Sequence, residues 1–259
     1  MQALVQIQVE NYLAKNLYNH PKYQSSKYLN KSEFQVFSQF GEDGIIAEIF
    51  RRVGTTNKFF VEFGVEDGKE TNTTYLAYQG WQGLWMDGSA ENIAAIHNSF
   101  SGLIKEGRLR TAQSFITAEN IEALLKQAAV PAEPDLLSID IDRNDYHVWK
   151  AIVNYQPRVV VIEYNSIFRP GIEFIVKYDA SAMWDKTSNF GASLESYCKL
   201  AEEKGYRLIA CSFAGVNAFF ARKDLAEKYF EGPFTAANFY EPPRYFLQSR
   251  NGHPRRVEL

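Results

Sequence analysis

Strand-like and helix-like segments alternate through most of this chain, and that alternation limits its fold more than any other feature. Residues 58–63 (KFFVEF), 83–87 (GLWMD), 135–140 and 157–163 are short apolar runs bounded by turn residues, with 109–115 a weaker member of the series. Apolar residues at consecutive positions over such short lengths fit strands covered on both faces of a parallel sheet. Helix-patterned stretches lie between them near 72–79, 91–100, 118–129 and 146–155. Another precedes them at 41–53, where Ile45, Ile46, Ile49, Phe50 and Val53 share one face and Gly54 ends the pattern.

After the fifth run the rhythm breaks. Residues 164–190 carry no clear element, which is long for a structureless loop and points to a lid or an acceptor-binding insert. A helix returns at 192–204, closed by Gly205. Tyr206–Ser212 and Val216–Ala221 then follow as strands separated only by Phe213-Ala214-Gly215. A link this short forces a hairpin, because a parallel crossover needs a dozen residues or more. The expected architecture is α/β: a Rossmann-like, doubly wound, seven-stranded sheet whose last strand runs antiparallel. With 259 residues there is room for one large domain and modest extensions. We read 1–40 as an N-terminal helical and aromatic cover, 41–228 as the core domain and 229–259 as an aromatic tail. More than half of the aromatic residues (Trp 4, Tyr 15, Phe 19) fall in 1–40, 164–190 and 229–247. These segments are expected to cover the carboxyl edge of the sheet above an aromatic-walled pocket.

Composition removes several classes of function. Basic residues number 28 against 31 acidic, for a net charge of −3, so the domain-wide basic footprint of a nucleic-acid binder is missing. Only Arg250, Arg255 and Arg256 look locally basic. Cys198 and Cys211 have no CxxC partner and read as core thiols. No apolar run reaches the roughly 18 residues of a membrane span, and the opening MQALVQIQVENYLAKN lacks the pattern of a signal peptide. A cytoplasmic protein is expected, with its oligomeric state open. Neither GxSxG nor HExxH occurs, against serine hydrolase and zincin chemistry.

In open α/β sheets ligands bind beyond the carboxyl ends of the strands. The first strand ends Glu62-Phe63-Gly64-Val65-Glu66-Asp67-Gly68. Gly64 and Gly68 permit a tight turn and a close approach to a ligand, or make an ordinary strand-to-helix turn. The loop is not GxGxxG, and Glu62, Glu66 and Asp67 would crowd a pyrophosphate. S-adenosylmethionine has no phosphate and is cationic at its sulfonium and amino groups, so an acidic rim suits it. Asp87, closing the second strand, is placed to accept hydrogen bonds from ribose hydroxyls, or to cap the next helix.

These stretches, with Leu136-Leu137-Ser138-Ile139-Asp140-Ile141-Asp142, resemble class I S-adenosylmethionine-dependent methyltransferases. Among these, the FkbM-like branch and the related metal-dependent sugar O-methyltransferases are the most similar. Phe37-Ser38-Gln39-Phe40-Gly41-Glu42-Asp43-Gly44 resembles the approach segment of that branch, and the resemblance spans roughly residues 35–222. It implies the class I methyltransferase fold, with Glu62, Gly64 and Gly68 at the methionine end, Asp87 on the ribose and Asp140 toward the sulfonium and the acceptor. Gln39, Gly88 and Ser114 are expected to complete the cofactor site. Two departures stand out. Glu66 occupies a position where a glycine or small residue is common, and Asp140-Ile141-Asp142-Arg143-Asn144-Asp145 replaces the usual Asp-x-Glu-Gly.

Methyl transfer depends mostly on alignment, and an oxygen nucleophile must also lose its proton to a base or bind a metal. Asp140, Asp142 and His147 are the catalytic candidates. Asp140, Glu163 and Asn165 are hard oxygen ligands that would suit Mg2+. The competing readings are helix capping by Asp142, Asn144 and Asp145 and a packed or solvated His147. In 164–190, Arg169, Tyr178 and Trp184 are the acceptor-binding candidates, with Arg169 a possible bidentate clamp on an anion; a plain surface loop is the alternative. The function expected is S-adenosylmethionine-dependent O-methylation of a small polar acceptor: a sugar, a nucleotide-sugar or a phosphorylated intermediate in carbohydrate or natural-product biosynthesis. An NAD(P)-dependent oxidoreductase and a non-catalytic cofactor-binding protein on the same scaffold are the alternatives.

Overall fold

The structure is a computed structural model that describes residues 2–248. The basic Arg250, Arg255 and Arg256 and the end of the expected aromatic tail lie outside the described residues. Seven strands form one sheet: β1 (Phe59–Phe63), β2 (Gln82–Asp87), β3 (Leu109–Gln113), β4 (Leu136–Ile139), β5 (Val159–Glu163), β6 (Tyr206–Cys211) and β7 (Asn217–Arg222). Their order is β3-β2-β1-β4-β5-β7-β6. The pairs among β1 to β5 are parallel, and β7 runs antiparallel to both β5 and β6. The expected sheet and its reversed strand are therefore present. The strand order turns back on itself at β1 and β4, which opens a crevice at their carboxyl ends.

Alternation along the strands explains why the runs are apolar throughout. Val61, Leu84, Met86, Leu137, Val160 and Ile162 face one core with Trp149 and Tyr197. Phe60, Trp85, Leu136, Val159 and Val161 face the other with Ile45, Ile49 and Ile96. Each such side chain contributes about 1.5–3 kcal/mol on burial. The helices are α1 (Gln2–Leu13), α2 (Glu42–Val53), α3 (Thr74–Tyr78), α4 (Ala90–Ser99), α5 (Ser101–Lys105), α6 (Ile121–Gln127), α7 (Asp145–Ala151), α8 (Leu194–Glu203), α9 (Lys223–Tyr229) and α10 (Ala236–Phe239). Helix α2 buries its predicted face and carries Glu42 and Asp43 in its first turn and Arg51 and Arg52 in its last, as its dipole favours.

Two helices are shorter than their periodicity suggests, for local reasons. Before α6, Thr117 N donates to Asn120 Oδ1 (2.8 Å) and Asn120 N to Thr117 Oγ1 (3.3 Å), which holds the chain out of the helix until Ile121. After α7, Glu122 accepts from Val153 N (2.6 Å) and Asn154 N (2.9 Å), drawing those amides away from helical partners.

The three aromatic-rich segments meet. Glu241, buried in the C-terminal segment, accepts from Lys22 Nζ (2.7 Å), Tyr23 Oη (2.7 Å) and Arg244 Nη1 (2.9 Å). Tyr164 Oη donates to the Glu241 carbonyl (2.6 Å) and Tyr240 Oη to that of Ser166 (2.6 Å). Residues 164–190 form no helix or strand, only a bridge between Ile175 and Ala192. No helix among the described residues is long and apolar enough to cross a membrane.

Candidate active site

A cavity of about 900 Å³ opens at the carboxyl ends of β1, β2, β4 and β5. Of the expected cofactor residues, Gln39, Glu62, Gly64, Asp87, Gly88, Ser114 and Asp140 line it. So do the catalytic candidate Asp142, the metal candidate Glu163 and the acceptor candidate Trp184.

At the end of β1 the chain turns through Gly64, whose φ is 72°. A Cβ there would fall 1.6 Å from the Asp140 carbonyl oxygen, so only glycine lets the ends of β1 and β4 come together. Gly68 has a different role from the one expected. It lies outside the cavity lining, and a Cβ on it would meet the rings of Trp85 (2.7 Å) and Phe100 (2.8 Å). Its smallness serves packing.

Glu62 also departs from expectation. Its Oε1 accepts from Asn72 N (2.9 Å) and Ser138 Oγ (3.1 Å), and its Oε2 from Thr73 N (3.1 Å) and Thr73 Oγ1 (2.5 Å). Four donors from the chain fill the four acceptor directions of the carboxylate. Glu62 therefore ties β1 and β4 to the loop before α3. Burial raises its pKa, against the pull of these hydrogen bonds. Asp87 performs two local tasks: Oδ2 accepts from Glu66 N (2.9 Å), while Oδ1 accepts from Ser89 N (2.8 Å) and Asn92 Nδ2 (3.0 Å). The cap of α4 itself is Ser89, whose Oγ accepts from Asn92 N. Glu66, which stands where a small residue is common, takes a left-handed φ of 47°.

Asp140 and Glu163 meet because of strand register. β4 and β5 pair Ile139 with Ile162, so Asp140, just past the end of β4, and Glu163, the last residue of β5, come side by side. Burial, then the charges of Glu163, Asp145, Asp142 and Glu62, push the Asp140 carboxyl well above its ordinary range. Burial and the charges of Asp145 and Asp142 do the same to Glu163. Adjacent carboxyls that resist double ionisation share a proton, and the ionised member is a base of raised strength. Asp142 sits exposed at a left-handed φ of 66°. Burial pushes Asp145 up to about 6; its Oδ1 accepts from Ile141 N (2.9 Å) and its Oδ2 is buried without a partner.

Several expected residues stand elsewhere. His147 Nε2 donates to the Val176 carbonyl (2.8 Å) and its ring packs on Tyr178, outside the cavity lining. Tyr178 bonds Glu119 Oε2 (2.5 Å) and accepts from Ala118 N, also outside it. Arg169 is exposed and does not line the cavity, so the expected anion clamp is not formed there. Asn165 turns its Nδ2 to the carbonyls of Ser188 (2.8 Å) and Phe190 (3.0 Å), which anchors the end of the 164–190 segment. Among the described residues no three His, Cys, Asp or Glu side chains are grouped to hold a metal ion. Of the donor set expected for Mg2+, Asp140 and Glu163 line the cavity and Asn165 does not. Trp184 does line the cavity, its Nε1 donating to the Thr187 carbonyl (2.7 Å).

Sequence reasoning missed Phe40, Phe115, Phe190, Asn217 and Tyr245 in the lining, and Asn144 there was read only as a cap. Asn217 opens β7 directly opposite Glu163. It donates through Nδ2 to Glu42 Oε1 (3.2 Å), and Glu42 Oε2 in turn accepts from Phe40 N (3.0 Å) and Gly41 N (2.9 Å). This relay fixes the Gln39–Phe40 wall. The one legible signal was the Phe37–Gly44 motif itself.

The order β3-β2-β1-β4-β5-β7-β6 with antiparallel β7 is that of the class I methyltransferase fold. No protein-family model and no curated protein matches the chain. Solved structures that it is similar to include an S-adenosylmethionine-dependent methyltransferase from Clostridium acetobutylicum ATCC 824 (11% identity, 85% of this chain and 99% of that one, TM-score 0.45). A candidate O-methyltransferase from Klebsiella pneumoniae (13%, 85% and 97%, 0.49) is another. A third is the glycopeptide N-methyltransferase MtfA complexed with S-adenosyl-L-methionine (12%, 70% and 94%, 0.43). Likeness at this level concerns the course of the chain alone.

Proposed function

We propose that the chain is an S-adenosylmethionine-dependent methyltransferase that acts on an oxygen of a small polar acceptor. The observation that carries this reading is a carboxylate-lined cavity at the crevice of the sheet, beside a helix start whose leading amides, Asn72 to Thr74, are already bonded within the chain. Asn72 N and Thr73 N, which could otherwise cradle a pyrophosphate, are bonded to Glu62. A dinucleotide would also face Glu66 and Glu70 in the same wall. That argues against the oxidoreductase.

The residues fit the cofactor proposed. Gly64 presents bare backbone to the cavity, and Asp87 keeps a lone pair on Oδ2 beyond its bond to Glu66. Gln39, Gly88 and Ser114 would complete the cofactor wall, with Asp140 toward the reacting centre. When bound, the cofactor supplies an electrophilic methyl group on a sulfonium. Asp140, held beside Glu163, takes the proton of the acceptor hydroxyl, and Trp184 and Phe190 screen that side of the cavity from water. Asn165 lies outside the cavity lining, and no step is assigned to a metal.

The test is transfer of a labelled methyl group to a panel of hydroxylated metabolites. Turnover is expected with the wild-type chain and a loss of about 10²–10⁴-fold in Asp140→Asn, the usual worth of a general base. Cofactor binding without transfer to any acceptor would favour a non-catalytic binding protein.

A further inference from the structure

The identity of the acceptor follows from what the cavity leaves unsatisfied, and this inference rests on the methyltransferase reading. The lining is acidic: Lys186 is the one basic side chain among its described residues, against carboxylates on all sides. Two of these, Glu62 and Asp87, are occupied by donors of the chain. Asp140, Asp142 and Glu163 lie together on the β4–β5 side. Such a wall repels phosphate and attracts a cation.

A second, independent observation concerns hydrogen bonds. Asn144 and Asn217 both line the cavity, both are 3% exposed, and the Oδ1 of each has no partner. Their amides cannot be turned round. Asn144 Nδ2 donates to the Asp179 carbonyl (2.9 Å) and Asn217 Nδ2 to Glu42 Oε1 (3.2 Å), atoms that only accept. Each Oδ1 is thus an acceptor without a partner in the chain, able to take a donor from a ligand, and leaving a buried acceptor unmet is costly. Asn217 lies directly opposite Glu163 in the antiparallel β5–β7 pair, so the two side chains share a face of the sheet. A carbonyl oxygen beside a carboxylate accepts well from an ammonium group, which has three donors and no acceptor.

We infer that the acceptor is a protonated amine that also bears the hydroxyl to be methylated, an amino polyol, with its ammonium group held by Glu163 and the Asn217 carbonyl. Trp184, Phe190 and Tyr245 stand in the same lining, and aromatic rings attract such a cation. The positive charge beside Glu163 also relieves the repulsion between Glu163 and Asp140, leaving Asp140 ionised to take the hydroxyl proton. The phosphorylated and nucleotide-sugar acceptors expected from the sequence do not suit this wall.

Calorimetry decides the matter with three ring-matched probes. The full chain is first titrated with S-adenosylhomocysteine, then the loaded protein with glucosamine, glucose and glucose 6-phosphate at a pH where the amine is protonated. Glucosamine is expected to bind at least about tenfold more tightly than glucose, with the phosphate weakest. Asn217→Ala and Glu163→Gln should each abolish the preference for glucosamine over glucose while S-adenosylhomocysteine still binds; that retained binding shows the variants are folded. Glucose 6-phosphate binding as well as glucosamine, or glucosamine showing no advantage over glucose, overturns the inference and leaves the methyltransferase reading standing. Absence of S-adenosylhomocysteine binding to the wild-type chain overturns both.

Discussion

Gly64 and Asp140 come so close that a single methyl group on Gly64 would fall 1.6 Å from the Asp140 carbonyl oxygen. This contact joins β1 to β4 at the point where the strand order reverses, and the cofactor wall is built around it. Gly64→Ala adds that clash to a left-handed φ of 72°. We expect a loss of about 2–5 kcal/mol of stability from strain and overpacking together, measured by urea unfolding, with loss of S-adenosylhomocysteine binding.

Asp87 organises the second wall of the site. Asp87→Ala strands the amides of Glu66 and Ser89 and the side chain of Asn92. It should cost about 2–4 kcal/mol of stability and weaken S-adenosylhomocysteine at least about tenfold by calorimetry. Asp87→Asn, which keeps one acceptor oxygen, should lose less on both counts.

Stability should fall as pH rises through the range where Asp145 titrates. Its carboxyl is pushed up to about 6 in the folded chain, against about 3.9 unfolded. Between those values the native state holds a proton that the unfolded chain has lost. Its contribution is therefore full below about pH 4 and gone above about pH 6. Asp145→Asn should flatten this part of the profile. The difference between variant and wild type in urea midpoints at pH 4 and 7 measures it, and parallel profiles would count against the buried carboxyl. The raised Asp140 and Glu163 extend the decline to higher pH.

His147 bonds the Val176 carbonyl and holds the 164–190 segment against α7. His147→Gln should raise the acceptor KM while lowering kcat less than about tenfold. A loss of about 10²–10⁴ in kcat would restore His147 as the base.

The sheet was legible because strands covered on both faces must be apolar at every position, as in 59–63 and 159–163, and because three residues between 212 and 216 cannot make a crossover. Asp140 and Asp87 were legible as carboxylates at strand ends. The occupancy of a side chain was not. Glu62 looks like a ligand in sequence, yet its partners Asn72, Thr73 and Ser138 become visible only when the loop before α3 folds back. Gly68 looks like a twin of Gly64, but its neighbours are the rings of Trp85 and Phe100 from other elements. Asn217 falls within the expected strand 216–221, and nothing marks it as a site residue until the register places it opposite Glu163. Helix α1 has no sharp apolar face in sequence, since Leu4, Val5 and Ile7 are exposed while Val9 is buried.

The cavity at the ends of β1, β2, β4 and β5 is proposed to take S-adenosylmethionine. Titration calorimetry of the wild-type chain with S-adenosylhomocysteine and, separately, with NAD+ tests it most directly. One-to-one binding of S-adenosylhomocysteine with a micromolar or tighter Kd, a binding free energy of about −8 kcal/mol or better, is expected, and no heat of binding for NAD+. Binding of NAD+ in preference to S-adenosylhomocysteine would contradict it.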